Sequence, residues 1–181
     1  MSAGNGIREE SARSIYQGRI VHLFEKTVRL PGGHVANLEI VHHPGAAAVV
    51  PLHADGSVTL VHQYRHAVRG HLYELPAGLL EEGESGIACA VRELKEETGI
   101  TADTVTPLTV YCTTPGFSDE LVHLYLATGL TVGEQELEDD EILSVVRMPL
   151  DEALARVEAG DITDGKTVIG LLMAERVGAG A

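Results

Sequence analysis

The chain of 181 residues contains no tryptophan, two phenylalanines and two cysteines. Cys89 and Cys112 cannot build a disulfide framework, so the chain must hold itself together by packing. Basic residues are scarce: 13 Lys and Arg stand against 27 Asp and Glu, a formal charge of −14. That balance argues against a nucleic-acid surface, which needs clustered Lys and Arg. The longest apolar runs, such as Ala46 to Leu52, are too short to span a bilayer. The polar start (Ser2, Asn5, Arg8, Glu9, Glu10) shows no secretory apolar segment. Neither G-x-G-x-x-G nor a P-loop occurs, which removes the two common phosphate-cradling loops. The expectation is a cytoplasmic protein with neither membrane nor nucleic acid as partner.

What is present is ordinary for a globular chain: 44% hydrophobic and 22% charged residues. The length suits one domain, or one domain with a small accessory piece. Residues 1–13 read as a loose tail. Arg19–Leu30 and His34–His43, split by the turn signal Pro31-Gly32-Gly33, read as an N-terminal hairpin. Pro44-Gly45 marks a boundary, giving an N-terminal β sub-domain over 1–45 and a main domain over 46–181. Ala46–Leu52 and Val58–Gln63, around His53-Ala54-Asp55-Gly56, read as a second hairpin. Leu72–Leu75, Leu108–Thr113, Leu121–Thr128 and Ile142–Met148 read as strands. Helices are expected over Ser85–Thr98 with Gly99 as its stop, from an Asp151 N-cap to Ala159 with Gly160 closing it, and over about 166–177. This order fits an α/β fold with a mixed sheet flanked by helices.

The chemistry concentrates in the first helix. Glu93, Glu96 and Glu97 stand at i, i+3 and i+4 and share a face. Carboxylates so placed repel one another and raise one another's pKa. A hard divalent cation such as Mg²⁺ or Mn²⁺ reverses both effects, because it takes oxygen ligands. Ile87, Val91 and Leu94 are expected to bury the opposite side, and Arg92 to orient a neighbouring carboxylate. A surplus of acids is in itself mostly a solvated face; the surrounding pattern decides.

Gly78, Glu84, Arg92, Glu93, Glu96, Glu97 and Gly99, with apolar Leu94 and Ile100, match the Nudix box G-x5-E-x7-R-E-U-x-E-E-x-G-U at every fixed position. The sequence therefore resembles a Nudix hydrolase. That resemblance implies an α/β/α sandwich and metal-dependent hydrolysis of a nucleoside diphosphate linked to another moiety. It implies Glu93, Glu96 and Glu97 as metal ligands, the Ala77 carbonyl as a further one, and Glu84 as a helper. Metal ions would neutralise and orient the diphosphate.

Further residues resemble the ADP-ribose pyrophosphatase branch: Gln63-Tyr64-Arg65, Glu74-Leu75-Pro76-Ala77-Gly78, Pro115 (16 positions after Gly99) with Gly116 to Glu120, and Asp164-Gly165-Lys166-Thr167. On that resemblance Arg65 clamps the diphosphate, since guanidinium binds phosphate oxygens bidentately. Glu74 holds Arg65 or substrate, and Glu120 reaches a ribose or a metal. The base comes from the acidic stretch Glu134–Glu141, with Glu138 the first choice and Glu141 the second. The resemblance also implies a homodimer exchanging its N-terminal sheet, with Phe24 or Ile40 contacting adenine. The products would be AMP and ribose 5-phosphate. Alternatives are another nucleoside diphosphate derivative (sugar nucleotide, dinucleoside polyphosphate or oxidised nucleotide) and a non-catalytic nucleotide sensor. The intact box glutamates weigh against the sensor. The pairs His42-His43 and His62/His66 are not expected to hold a metal, since His62 and His66 fall in a strand-to-loop region where i, i+4 spacing does not align them, and both cysteines read as packing residues.

Overall fold

The structure, a computed structural model, describes residues 6–136 and 142–178. It divides into two compact units, one of residues 1–44 with 112–121, the other of 45–111 with 122–181.

The first unit is a three-stranded antiparallel sheet, β1 (Arg8–Gln17), β2 (His22–Arg29) and β3 (Val35–His42), with β2 in the centre. β1 corrects the loose tail expected over 1–13 from Arg8 onward; residues 1–5 lie outside the described residues. Its polar residues on both faces hide it from hydrophobic periodicity. Cross-strand ion pairs register it instead: Glu9 with Lys26 at 3.1 Å, Glu10 with Arg29 at 2.6 Å, Arg13 with Glu25 at 3.2 Å. The segment 112–121 joins this unit through Val41, whose N–H donates to the Phe117 carbonyl at 2.7 Å.

In the second unit β4 (Ala46–Pro51) lies inside a mixed sheet. It runs parallel to β9 (Leu121–Val132) and antiparallel to β7 (Ala77–Leu79), with β8 (Ile100–Cys112) beyond β9. A second sheet orders β10 (Leu143–Pro149), β5 (Ser57–Arg65) and β6 (Gly70–Glu74), all antiparallel. β4 and β5 thus enter different sheets, linked by the single bridge Leu52 to Val58, rather than the hairpin expected. The cause is β4 itself: an Ala/Val run buried on both faces needs partners on both edges.

Alternation along β4 sorts the core into two. Ala47 and Val49 face α1 (Gly86–Thr98), packing on Cys89, Ala90 and Leu94. Ala48 and Val50 face the other way, onto a cluster holding Leu60, Leu75, Ala153 of α2 (Leu150–Ala159) and Leu171 of α3 (Gly165–Gly178). Helices therefore cover both faces of the mixed sheet, as the α/β/α expectation requires.

Two local readings change. α2 starts at Leu150 without a side-chain cap, so Asp151 lies in its first turn rather than at the N-cap; Gly160 ends it in the left-handed region at φ 82°. On α1, Ile87 and Val91 are 43% and 49% exposed, contrary to expectation. The buried face carries Cys89, Ala90, Glu93, Leu94 and Glu97. Small Cys89 and Ala90 let the helix approach the sheet, and the i+4 ladder from Cys89 takes two glutamates inward.

Candidate active site

α1 opens at Ser85, whose hydroxyl accepts from the Ala88 N–H at 3.3 Å, and closes at Gly99, in the left-handed region at φ 70°. Between these caps Arg92 gathers the carboxylates. Its guanidinium donates to Glu84 from Nε at 3.0 Å and Nη2 at 3.1 Å, and from Nη1 to Glu93 at 2.6 Å and Glu96 at 3.0 Å. These hydrogen bonds push the Arg92 pKa up, and bonds from Arg92 and the Glu81 N–H hold Glu84 down at about 2. Glu97, 3% exposed, turns inward and accepts from the Ala77 N–H at 3.0 Å.

A cleft of about 290 Å³ opens beside this group, lined by Ala77, Gly78, Leu79, Glu81, Arg92, Glu93 and Glu96. Gly78 is required there. A Cβ at that position would sit 1.8 Å from Oε1 of Glu93, so only glycine lets β7 pass against the carboxylate. Cys89 lies beneath, its Sγ 3.5 Å from the Gly78 carbonyl and 3.4 Å from that of Leu79, and burial pushes its thiol up to about 12. That makes it a packing residue, not a nucleophile.

Among the described residues no three His, Cys, Asp or Glu side chains converge to share an ion in this arrangement. The reason is visible: Arg92 lies between Glu93 and Glu96, and Glu97 is engaged with Ala77. The donors nonetheless suit a hard cation. They are all oxygens, two of the carboxylates line a cleft, and the glycine beside them keeps it open.

A second cluster forms at the end of β5. Arg65 donates to Glu74 from Nε at 2.6 Å and Nη2 at 3.0 Å, a bidentate pair. Lys166 Nζ also donates to Glu74, and to Asp164 at 3.0 Å. Burial works against charge on Glu74, but the Arg65 bonds and Lys166 outweigh it and hold its carboxyl below the ordinary value. Asp164 caps α3 by accepting from the Thr167 N–H at 3.0 Å, and Thr167 Oγ1 accepts from the Leu75 N–H at 2.8 Å. The α3 start is thereby fastened to the strand that carries Glu74. Lys166 is a site residue that sequence reasoning missed; its signal was a lysine inside the capping turn Asp164-Gly165-Lys166-Thr167.

The C-terminal end of α1 is also strapped. Gln135 Nε2 donates to the Glu97 carbonyl at 2.6 Å, the Glu136 N–H to the Glu96 carbonyl at 3.0 Å, and Lys95 pairs with Glu136 at 2.8 Å. Nothing in the sequence pattern pointed to this contact. Glu138 and Glu141, the residues expected to supply the base, lie outside the described residues.

Phe24, Ile40, Pro115 and Glu120 belong to the first unit. Phe24 and Ile40 line one cleft of about 230 Å³ with Ala12, Lys26, His42 and Asp119. Asp119 accepts from the His42 ring at 2.7 Å and the His43 N–H at 2.8 Å; these bonds outweigh burial and keep its carboxyl below the ordinary range. Glu120 accepts from Thr113 Oγ1 at 2.7 Å and faces His43 at 3.6 Å. Pro115 is exposed. Among the described residues no helix is long and apolar enough to cross a membrane.

The chain is similar to known proteins over most of its length. The chain is 43% identical over 155 residues to an ADP-ribose pyrophosphatase of Bacillus subtilis, covering 84% of each chain. It is 41% identical over 173 residues to an ADP-ribose pyrophosphatase of Mycobacterium tuberculosis, covering 94% of this chain and 84% of that one. The crystal structure of an ADP compounds hydrolase superposes with a TM-score of 0.84 at 22% identity, over 96% of this chain and 95% of the other, and so shares the fold. The NUDIX domain model matches residues 41–168, and the chain belongs to that family.

Proposed function

We propose that the protein hydrolyses the diphosphate linkage of ADP-ribose, consuming one water and releasing AMP and ribose 5-phosphate. The observation that carries this reading is the carboxylate group around Arg92 beside an open cleft, in a chain over 40% identical to two ADP-ribose pyrophosphatases. Nudix hydrolases are generally dependent on a divalent metal. Here Glu93, Glu96, Glu97 and the Ala77 carbonyl would hold Mg²⁺, with Mn²⁺ as a substitute. Bound there, the cation would supply charge neutralisation of the diphosphate and a lowered pKa for the attacking water.

The remaining roles fall to the chain's own groups. Arg92 holds the carboxylates apart from one another and in place. Arg65 spends Nε and Nη2 on Glu74, which leaves the outer edge of a side chain 43% exposed for a phosphate oxygen. Phe24 and Ile40 supply apolar surface for adenine, and Glu120 a carboxylate for a ribose hydroxyl. Glu138, or failing it Glu141, takes the proton from water.

The N-terminal unit over 1–45 is the proposed dimerisation element. Every residue of β1 is exposed, including Ile15 and Tyr16, and Val28 is the one buried apolar residue among those described in its three strands. A sheet so poorly covered is stabilised by a second copy. We place the enzyme in the cytoplasm. The test is a panel of ADP-ribose, GDP-mannose, ADP-glucose and diadenosine polyphosphates with Mg²⁺, with mass measured by light scattering. ADP-ribose should show the highest kcat/KM, from a dimer. Tight ADP-ribose binding without turnover would replace the enzyme by a sensor, and a higher kcat/KM for a sugar nucleotide would reassign the substrate.

A further inference from the structure

The last turn of an α-helix leaves its carbonyls without partners inside the helix, and such a turn frays unless groups outside bond them. In α1 this turn carries Glu96 and Glu97, two of the three carboxylates of the candidate metal site. Its carbonyls are bonded in series. The Gly99 N–H donates to the Lys95 carbonyl at 2.8 Å, the Glu136 N–H to that of Glu96 at 3.0 Å, and Gln135 Nε2 to that of Glu97 at 2.6 Å. The Gly133 N–H extends the series to the Gly99 carbonyl at 2.8 Å. The segment 133–136, which directly follows β9, therefore lies along the end of the helix. A Cβ on Gly99 would stand 2.5 Å from the Gly133 carbonyl oxygen, so the glycine that ends α1 also makes room for this segment.

Glu97 is thus held at both ends. Its carboxylate accepts from the Ala77 N–H at 3.0 Å, and its main-chain carbonyl accepts from Gln135. The Lys95–Glu136 ion pair joins the same two segments, but both partners are at least half exposed, and such a pair contributes little. Resting on the reading of Glu93, Glu96 and Glu97 as ligands of a divalent cation, we propose that Gln135 is a positioning residue: its amide fixes the last turn of α1 and so sets the two glutamates of that turn where a cation meets both. Its action on the cation runs through the Glu97 main chain. A turn in place in only part of the molecules lowers the apparent affinity for the cation by that fraction.

The experiment compares wild type with Gln135→Met, which keeps an unbranched side chain and removes the donor, and with Lys95→Met, which removes the ion pair and leaves the carbonyl bonds. Mn²⁺ binding is measured by calorimetry on the full chain without substrate, together with melting temperature in a chelator and the Mg²⁺ dependence of turnover. Gln135→Met should bind Mn²⁺ about fivefold more weakly and need about fivefold more Mg²⁺ for half-maximal rate, with KM at saturating Mg²⁺ within about twofold of wild type. Gln135 is exposed, so the melting temperature should fall by no more than a few degrees. Lys95→Met should bind Mn²⁺ no more weakly than wild type, because a positive charge has left the turn. Unchanged Mn²⁺ affinity in Gln135→Met, whatever its melting temperature, would make Gln135 a helix cap alone and overturn the proposal. An equal loss in Lys95→Met would trace the effect to general loosening of the contact and also overturn it. Wild type that binds no Mn²⁺ would overturn the metal reading itself, whereas wild type that binds it with the same affinity as Gln135→Met overturns only the role of Gln135.

Discussion

Around Arg92, one guanidinium serves three carboxylates, Glu84, Glu93 and Glu96; around Glu74, two cations, Arg65 and Lys166, meet two carboxylates, Glu74 and Asp164. Both clusters are partly buried, but the first is local in sequence while the second joins Arg65, Glu74 and Lys166 from distant elements. Their charge balance differs. The first carries negative charge in excess, with buried Glu97 adding more, and so favours a further cation. The second is neutral as a whole, but its arginine reaches toward solvent while its acid is 3% exposed. The face it offers outward is therefore positive. On the proposed function, the first region would take the metal and the second a phosphate of the same diphosphate.

The largest effect should come from removing charge in the first cluster. Glu97→Gln keeps an oxygen to accept from Ala77, so the fold and melting temperature should hold within a few degrees. Turnover of ADP-ribose should fall roughly a thousandfold. Steady-state kinetics with calorimetry checks both, and turnover like that of wild type would break the division between the clusters. Next is Gly78→Ala. The new Cβ would stand 1.8 Å from Glu93 Oε1, so the carboxylate must move. Turnover should drop about a hundredfold, with a higher Mg²⁺ concentration needed for half-maximal rate. An unchanged Mg²⁺ dependence would mean that Glu93 is not a ligand.

Arg65→Met probes the other region and should act differently. KM for ADP-ribose should rise about tenfold or more, with a smaller change in kcat and no shift in Mg²⁺ dependence. Lys166 remains to pair Glu74, so the single variant should stay folded, while Arg65→Met with Lys166→Met strands a buried carboxylate and should unfold at much lower urea. Equal stabilities of the single and double variants would show that Lys166 contributes nothing.

The two clusters were not equally legible in the sequence. The first lies within one helix and the strand before it, where i, i+3, i+4 spacing, Ser85 and Gly99 speak directly. Even there the buried face was misjudged. Counting Ile87 and Val91 as core ignored that small Cys89 and Ala90 set how close the helix packs, which is a property of the pair of surfaces. The second cluster assembles Arg65, Glu74 and Lys166 from two strands and a helix start over a hundred positions. Arg65 and Glu74 could be named because they lie in quoted motifs. Lys166 also lies in a quoted motif, but that motif reads as a helix start, and its pairing with Glu74, 92 positions away, depends on tertiary contact. β1 escaped for a third reason. It is held to β2 by a backbone ladder flanked by exposed cross-strand ion pairs, and periodicity measures only apolar residues.

The smallest effect, and the finest test of the second cluster, is the acid limb of stability. Glu74 is held below its ordinary value of 4.5 by Arg65 and Lys166 despite burial. As pH falls through 4.5 the unfolded chain takes up this proton before the folded one does. Stability from Glu74 is therefore complete above that pH and lost as pH drops through the folded value. Glu84, held at about 2 by Arg92 and the Glu81 N–H, adds a loss of the same sign and survives in a Glu74 variant. Glu74→Gln should thus be less stable than wild type at pH 7, and the gap in urea midpoint should narrow steadily between pH 5 and pH 3. The residual slope of the variant then belongs to the Arg92 cluster. A gap that stays constant across this range would mean that Glu74 is charged to the same extent folded and unfolded, and the neutral balance assigned to the second region would be wrong.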